Sequence, residues 1–67
     1  MPRKANVDVG DRFRKVGQFQ PPIWVVTRLF TFAAEPPHAR LEKEDDPSQT
    51  MTVSLPALQD SSLFRRA

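Results

Sequence analysis

His38 is the single histidine of the chain, and it stands four and six residues before Glu42 and Glu44 in the stretch HARLEKE. An imidazole oriented by a carboxylate can act as a general base, and strand alternation would set these three side chains on one face. The simpler reading is a strand with a solvated outer face. No serine or threonine stands in a nucleophile motif, and cysteine is absent, so the chain is read as non-enzymatic. Glu42, Glu44, Asp45 and Asp46 form its densest group of carboxylates. A calcium loop needs alternating oxygen ligands, a glycine at the sharp bend and a closing glutamate. Here the glycine and the closing glutamate are missing, so no metal and no cofactor is expected. The acidic stretch is read instead as a solvated turn that discourages edge-to-edge aggregation.

The richer constellation is basic and aromatic. Arg12, Arg14, Lys15 and Arg28, with Phe30 and Phe32, are the candidate binding surface. The first expectation is a protein partner or self-association through Arg28, Phe30 and Phe32, since an exposed apolar strip on a small domain marks a contact. The alternative is single-stranded nucleic acid, RNA or DNA, held through Arg12, Arg14, Lys15 and Arg28. Arginines would meet phosphates while ring faces receive bases. The basic pairs Arg3-Lys4 and Arg65-Arg66 are read as solubilising tails that add phosphate contacts if they flank the same face. No small-molecule substrate is implied.

The elements that position these groups must fit into 67 residues, which is room for one domain. A chain of that size buries only about 60% of the surface its unfolded form exposes. With no cysteine, neither disulfides nor thiolate zinc can reinforce it, so close packing must supply its stability. The same lack suits a reducing cytoplasm. MPRKANVDVGD has a basic start with no apolar run behind it, unlike a secretory signal. The run from Ile23 to Phe32 is far short of the roughly 20 residues a bilayer requires and contains Arg28. A soluble cytoplasmic protein without membrane contact is the expectation. Charge is unevenly spread: residues 1–30 carry a surplus of four positive charges and residues 31–60 a deficit of four. Such asymmetry can steer an anionic partner or a second copy.

Residues 1–6 are read as a flexible basic arm and 7–67 as the domain. VDVGDRFRKV alternates, with Val7, Val9 and Phe13 on one side and Gly10-Asp11 marking a turn or bulge. Gly17 and Pro21-Pro22 end this first strand. IWVVTRLFTF is rich in β-branched and aromatic residues and predicts a second strand. Strict alternation there would carry Arg28 into the core beside Trp24 and Val26, where an unpaired cation is costly. A bulge near Thr27-Arg28 removes the conflict. It places Trp24, Val26 and Leu29 inside and turns Arg28, Phe30 and Phe32 outward. HARLEKE puts Ala39 and Leu41 inward. EDDPSQ predicts a hairpin turn with Asp46 first and Pro47 second. QTMTVSL returns with Met51, Val53 and Leu55 inward. Ser54-Leu55-Pro56 has the form of a helix start, with serine as cap and proline in the first turn, and SLFRR predicts a short closing strand.

Three local features, Val9-Gly10-Asp11, Trp24-x-Val26-x-x-Leu29 and Val53-x-Leu55-Pro56-x-Leu58, resemble the SH3-like small-barrel family in its broad sense, Tudor- and KOW-type variants included. The likeness covers residues 7–66 and is closest to short stand-alone proteins of bacterial type. It implies an all-β, five-stranded barrel: a four-strand meander, one short 3-10 or α turn, then the last strand. The chain departs from the polyproline-binding members, having no tyrosine and only a short first loop, Gly17 to Pro22. Only Trp24 and the phenylalanines are available for a methyl-lysine cage. The resemblance therefore implies a fold and a binding role without naming the ligand.

Overall fold

Period-two patterning governs most of the chain, and the elements follow from it. The computed structural model describes residues 7–31 and 36–67; the basic arm expected at residues 1–6 and Phe32 lie outside them. Five strands form: β1 (Arg12–Lys15), β2 (Trp24–Phe30), β3 (His38–Lys43), β4 (Asp46–Ser54) and β5 (Phe64–Arg66). One helical turn, α1 (Leu55–Leu58), precedes β5. The strands make a single antiparallel sheet in the order β4-β3-β2-β1-β5. It curls into a half-barrel, so the architecture is all-β with one short helix before the last strand.

The bulge anticipated in β2 is present. Val25 pairs with Glu42 and Val26 with Leu41, but Arg28, not Thr27, faces Arg40. Thr27 is the extra residue, and its hydroxyl donates to the Arg40 carbonyl at 3.3 Å, so part of the disrupted ladder is bonded again. The bulge keeps Trp24 and Val26 in the core and releases Arg28 to solvent. Leu29 departs from expectation. Its register partner, Ala39, is fully buried, so Leu29 lies on the inner row, yet it is 40% exposed. It stands past the point where the half-barrel closes over its contents.

The core comprises Val7, Phe13, Trp24, Val26, Ala39, Leu41, Leu58 and Phe64, with Met51, Val53 and Leu55 packed against it. Val26, Leu41 and Leu58 are its largest fully buried side chains, each contributing about 1.5–3 kcal/mol by removal from water. The buried Trp24 Nε1 meets no acceptor among the described residues. Val9 corrects the expected alternation, because it is exposed while Val7 and Phe13 are buried. Gly10 is the cause. Its φ of 94° reverses the chain, and its N–H then donates to the Val26 carbonyl at 2.8 Å. The regular part of the first strand therefore begins only at Arg12. A side chain at Gly10 would meet open space, so the backbone angle, not crowding, selects glycine.

The hairpin between β3 and β4 turns earlier than its proline suggests. Lys43 pairs with Asp46, which makes Glu44-Asp45 the turn. The register then slips, since Glu42 pairs with Thr50, and Pro47, Ser48 and Gln49 form an irregular segment. Asp46 organises it by accepting from the Ser48 hydroxyl at 2.6 Å and from Gln49 Nε2 at 3.0 Å. Those bonds favour its ionised form and hold the carboxyl below its ordinary value. Helix α1 begins as the sequence indicates: the Ala57 N–H donates to Ser54 Oγ at 3.3 Å, and proline occupies the first turn.

Candidate functional site

β1 and β5 are far apart in sequence, and their pairing gathers cations. Arg14 faces Arg65 directly and Lys15 faces Phe64. Like charges opposed across a ladder destabilise it, and no carboxylate relieves this pair. Among the described residues Arg14, Lys15 and Arg65 make no ion pair. Together with Val16, Gly17, Pro21 and Arg66 they line a cleft of about 330 Å³ at that end of the sheet. Arg66 is differently engaged. It donates from Nη1 to Asp11 Oδ2 at 2.9 Å, and its guanidinium lies 5.0 Å from the centroid of the Phe13 ring. It serves the fold, while its three neighbours are available to an anion.

Beside this cleft runs the loop from Gly17 to Pro22. Gly17 has φ 87° and Gln20 has φ 47°, the latter being the only non-glycine residue with positive φ among those described. Two left-handed residues so close together force the chain outward, and Phe19 between them is 89% exposed. No other described large hydrophobic is so bare. Sequence reasoning passed over Phe19 because it belongs to no alternating run. Its position in a short Gly/Pro-bounded loop, with no apolar neighbour on either side, was the available signal. Arg65 was read as part of a closing strand and basic tail that adds phosphate contacts if it flanks the basic face, and the long-range pairing with β1 sets it opposite Arg14.

The six candidate residues therefore do not form one surface. Arg14 and Lys15 border the cleft. Arg12 is held by Glu44, Nε to Oε2 at 2.8 Å and Nη2 to Oε1 at 3.0 Å, so its charge is compensated. Arg28 and Phe30 lie at the other end of β2. Since Arg12 pairs with Val25, Arg14 is level with Ile23, and Arg28 is four ladder steps further along once the bulged Thr27 is left out, roughly 13 Å at strand rise. Arg28 faces Arg40, a second opposed cationic pair, and its guanidinium covers the Phe30 ring at 5.2 Å from the centroid. Phe30 is half-buried. Phe32, the sixth candidate, lies outside the described residues.

Of the groups considered for catalysis and metal binding, His38, Glu44 and Asp46 are engaged locally. His38 donates from Nδ1 to the Pro36 carbonyl at 2.8 Å, fixing the entry to β3, and Glu44 is engaged by Arg12. Among the described residues no three histidine, aspartate or glutamate side chains converge on a metal-sized site. No described helix is long and apolar enough to cross a membrane. Comparison with protein-family models, curated proteins and solved structures gave no significant match.

Proposed function

We propose that this chain is a non-catalytic binding module built on an SH3-like barrel, and that its ligand is single-stranded nucleic acid held at the Arg14–Lys15–Arg65 cleft. The barrel assignment is supported by the sheet order, by the bend of β2 at Thr27 and by the capped turn before β5. The ligand assignment rests on one observation: opposed arginines without ion-pair partners among the described residues border a carboxylate-free cleft, and the loop that contributes Gly17 and Pro21 to that cleft also carries the exposed Phe19. A phosphate between Arg14 and Arg65 would offset their mutual repulsion and gain charge-assisted hydrogen bonds. Phe19 offers a face on which any base can stack. A cysteine-free chain of this kind suits a reducing cytoplasm.

A protein partner is the second reading, favoured by the Arg28–Arg40 pair, which also has no ion-pair partner among the described residues. An acidic protein surface would satisfy it, with Phe30 at the rim.

Fluorescence anisotropy with a labelled single-stranded oligonucleotide at low and moderate salt separates the two. Binding that weakens with salt is expected, because each neutralised phosphate releases counterions. The Arg14→Ala, Arg65→Ala double variant should flatten that salt dependence. Phe19→Ala should weaken binding by about 1–3 kcal/mol, roughly five- to 150-fold. Arg28→Ala should change little. No binding at low salt sinks the nucleic-acid reading, and loss confined to Arg28→Ala transfers it to the other end of β2.

A further inference from the structure

β4 is an edge strand whose only partner among the described strands is β3. The Leu55 N–H donates to the Pro37 carbonyl at 2.8 Å, which fixes the phase of the β3–β4 ladder. In an antiparallel pair hydrogen-bonded and non-bonded positions alternate, so Ala39/Val53 and Leu41/Met51 exchange bonds. The N–H and C=O groups of Thr50 and Thr52 must then point away from β3, and no described residue bonds to them there. Thirteen consecutive residues, Pro47 to Gln59, carry no formal charge, the longest such run in the chain. Edges are ordinarily blunted by charges, prolines or brevity. From Thr50 to Ser54 this one has none of these.

We infer that the β4 edge is a self-association surface on which a second copy of the chain adds its own β4, antiparallel, about a twofold axis at Thr52. The second copy is the fitting occupant because the edge is self-complementary. The irregular segment at Pro47–Gln49 on one side and α1 on the other limit the ladder to residues 50–54. Centred at Thr52, the ladder joins Thr50 to the partner's Ser54 and Thr52 to the partner's Thr52. On the inner row Met51 meets the partner's Val53. Both are only partly buried within one chain, and the pairing would continue the apolar layer across the axis. The outer row is hydroxyl against hydroxyl, a favourable cross-strand combination. No charge is opposed to a like charge, since Asp46 lies beyond the paired stretch. Five residues per strand make a small interface, below the size of stable complexes, so the association is reversible and depends on concentration. It is also closed. β5, the other edge, carries Arg65 and Arg66 and resists further addition.

Residue 52 faces itself in this arrangement, which gives a decisive test that does not involve the nucleic-acid cleft. Sedimentation of the full chain, from dilute solution to its solubility limit, should show a monomer–dimer equilibrium. Thr52→Lys should abolish the dimer, as should Thr52→Glu, while mixing the two variants should restore it as a heterodimer. Thr52 is exposed, so both variants should keep the Trp24 fluorescence of the wild type. Should either fail to fold, Thr50→Lys and Thr50→Glu are the replacements, with pairing then expected between position 50 and the partner's Ser54: each variant alone is weakened, and Arg14→Ala is unchanged. A wild type that stays monomeric throughout overturns the inference and leaves the edge to a strand from another protein. So does a dimer indifferent to charge at positions 50 and 52, or an open polymer in place of a closed pair.

Discussion

The sheet has two edges, and they are built on opposite plans. β4 is nine residues long, uncharged after Asp46, and rests on side chains that are only half-covered. β5 is three residues long, carries two arginines, and is nailed to the core by Phe64 and to the opposite end of the chain by Arg66–Asp11. A long bare edge invites another strand and a short cationic one repels it. The difference shows that charge is divided unevenly between the two edges. Positive charge collects on the short edge, and residues 47–59 along and beyond the long one carry none.

Truncating one anchor on each edge is the sharpest way to break the comparison. Phe64→Ala should cost about 3–5 kcal/mol, read as a lower urea midpoint, because a buried ring of the core cluster is lost. Met51→Ala on the other edge should cost about half as much, since its side chain is already partly exposed. Equal losses would mean that β4 is as firmly anchored as β5. Next in size is Arg66→Ala. Asp11 is largely buried, accepts from both Arg66 and the Asp8 N–H, and would lose a charged hydrogen bond worth about 1.5–3 kcal/mol. A change below this range would reduce the pair to a surface contact.

The smallest effect is expected in acid. Asp46, at the start of β4, and Asp60, before β5, both sit below the ordinary carboxyl value, Asp46 through Ser48 and Gln49 and Asp60 through the Ser62 hydroxyl and N–H. A carboxyl depressed on folding stabilises the native state above its unfolded pKa, and that contribution is lost as pH falls through the folded one. Stability should therefore be level near neutrality and decline only below the ordinary carboxylate range. Both groups are open to solvent, so the decline is modest. Ser48→Ala should remove the part belonging to β4 and Ser62→Ala the part before β5; urea midpoints across the acid range would separate them.

Much of this arrangement was legible in the residue pattern, for a physical reason in each case. Arg28 among apolar neighbours forced a bulge, since an unpaired guanidinium cannot be buried, and the register slips there. Ser54 and Pro56 announced the turn, the serine as its cap and the proline within its first residues. Local cues failed where two of them competed. Pro47 pointed to a turn at Asp46, but the Asp46 carboxylate bonds forward to Ser48 and Gln49, and the reversal falls on Glu44-Asp45. The candidate site was less legible than the fold. Arg14 and Lys15 were identified, Arg65 only as a terminal phosphate contact conditional on its face, and Phe19 not at all. One depends on a pairing across the whole chain and the other on two left-handed backbone angles. Neither leaves a periodic trace.

The Asp11–Arg66 bond spans 55 positions of the chain, and this separation bears on how the molecule is made. β1 cannot be flanked on its second side, nor Phe13 sealed, until Phe64 and Arg66 have emerged from the ribosome. Closure must therefore be late and cooperative, and dominated by distant contacts, the circumstance in which small β-proteins fold slowly. Until then the Phe13 ring lacks its covering guanidinium, and a nascent chain stalled before residue 64 would expose the uncharged β4 edge together with an unfinished core.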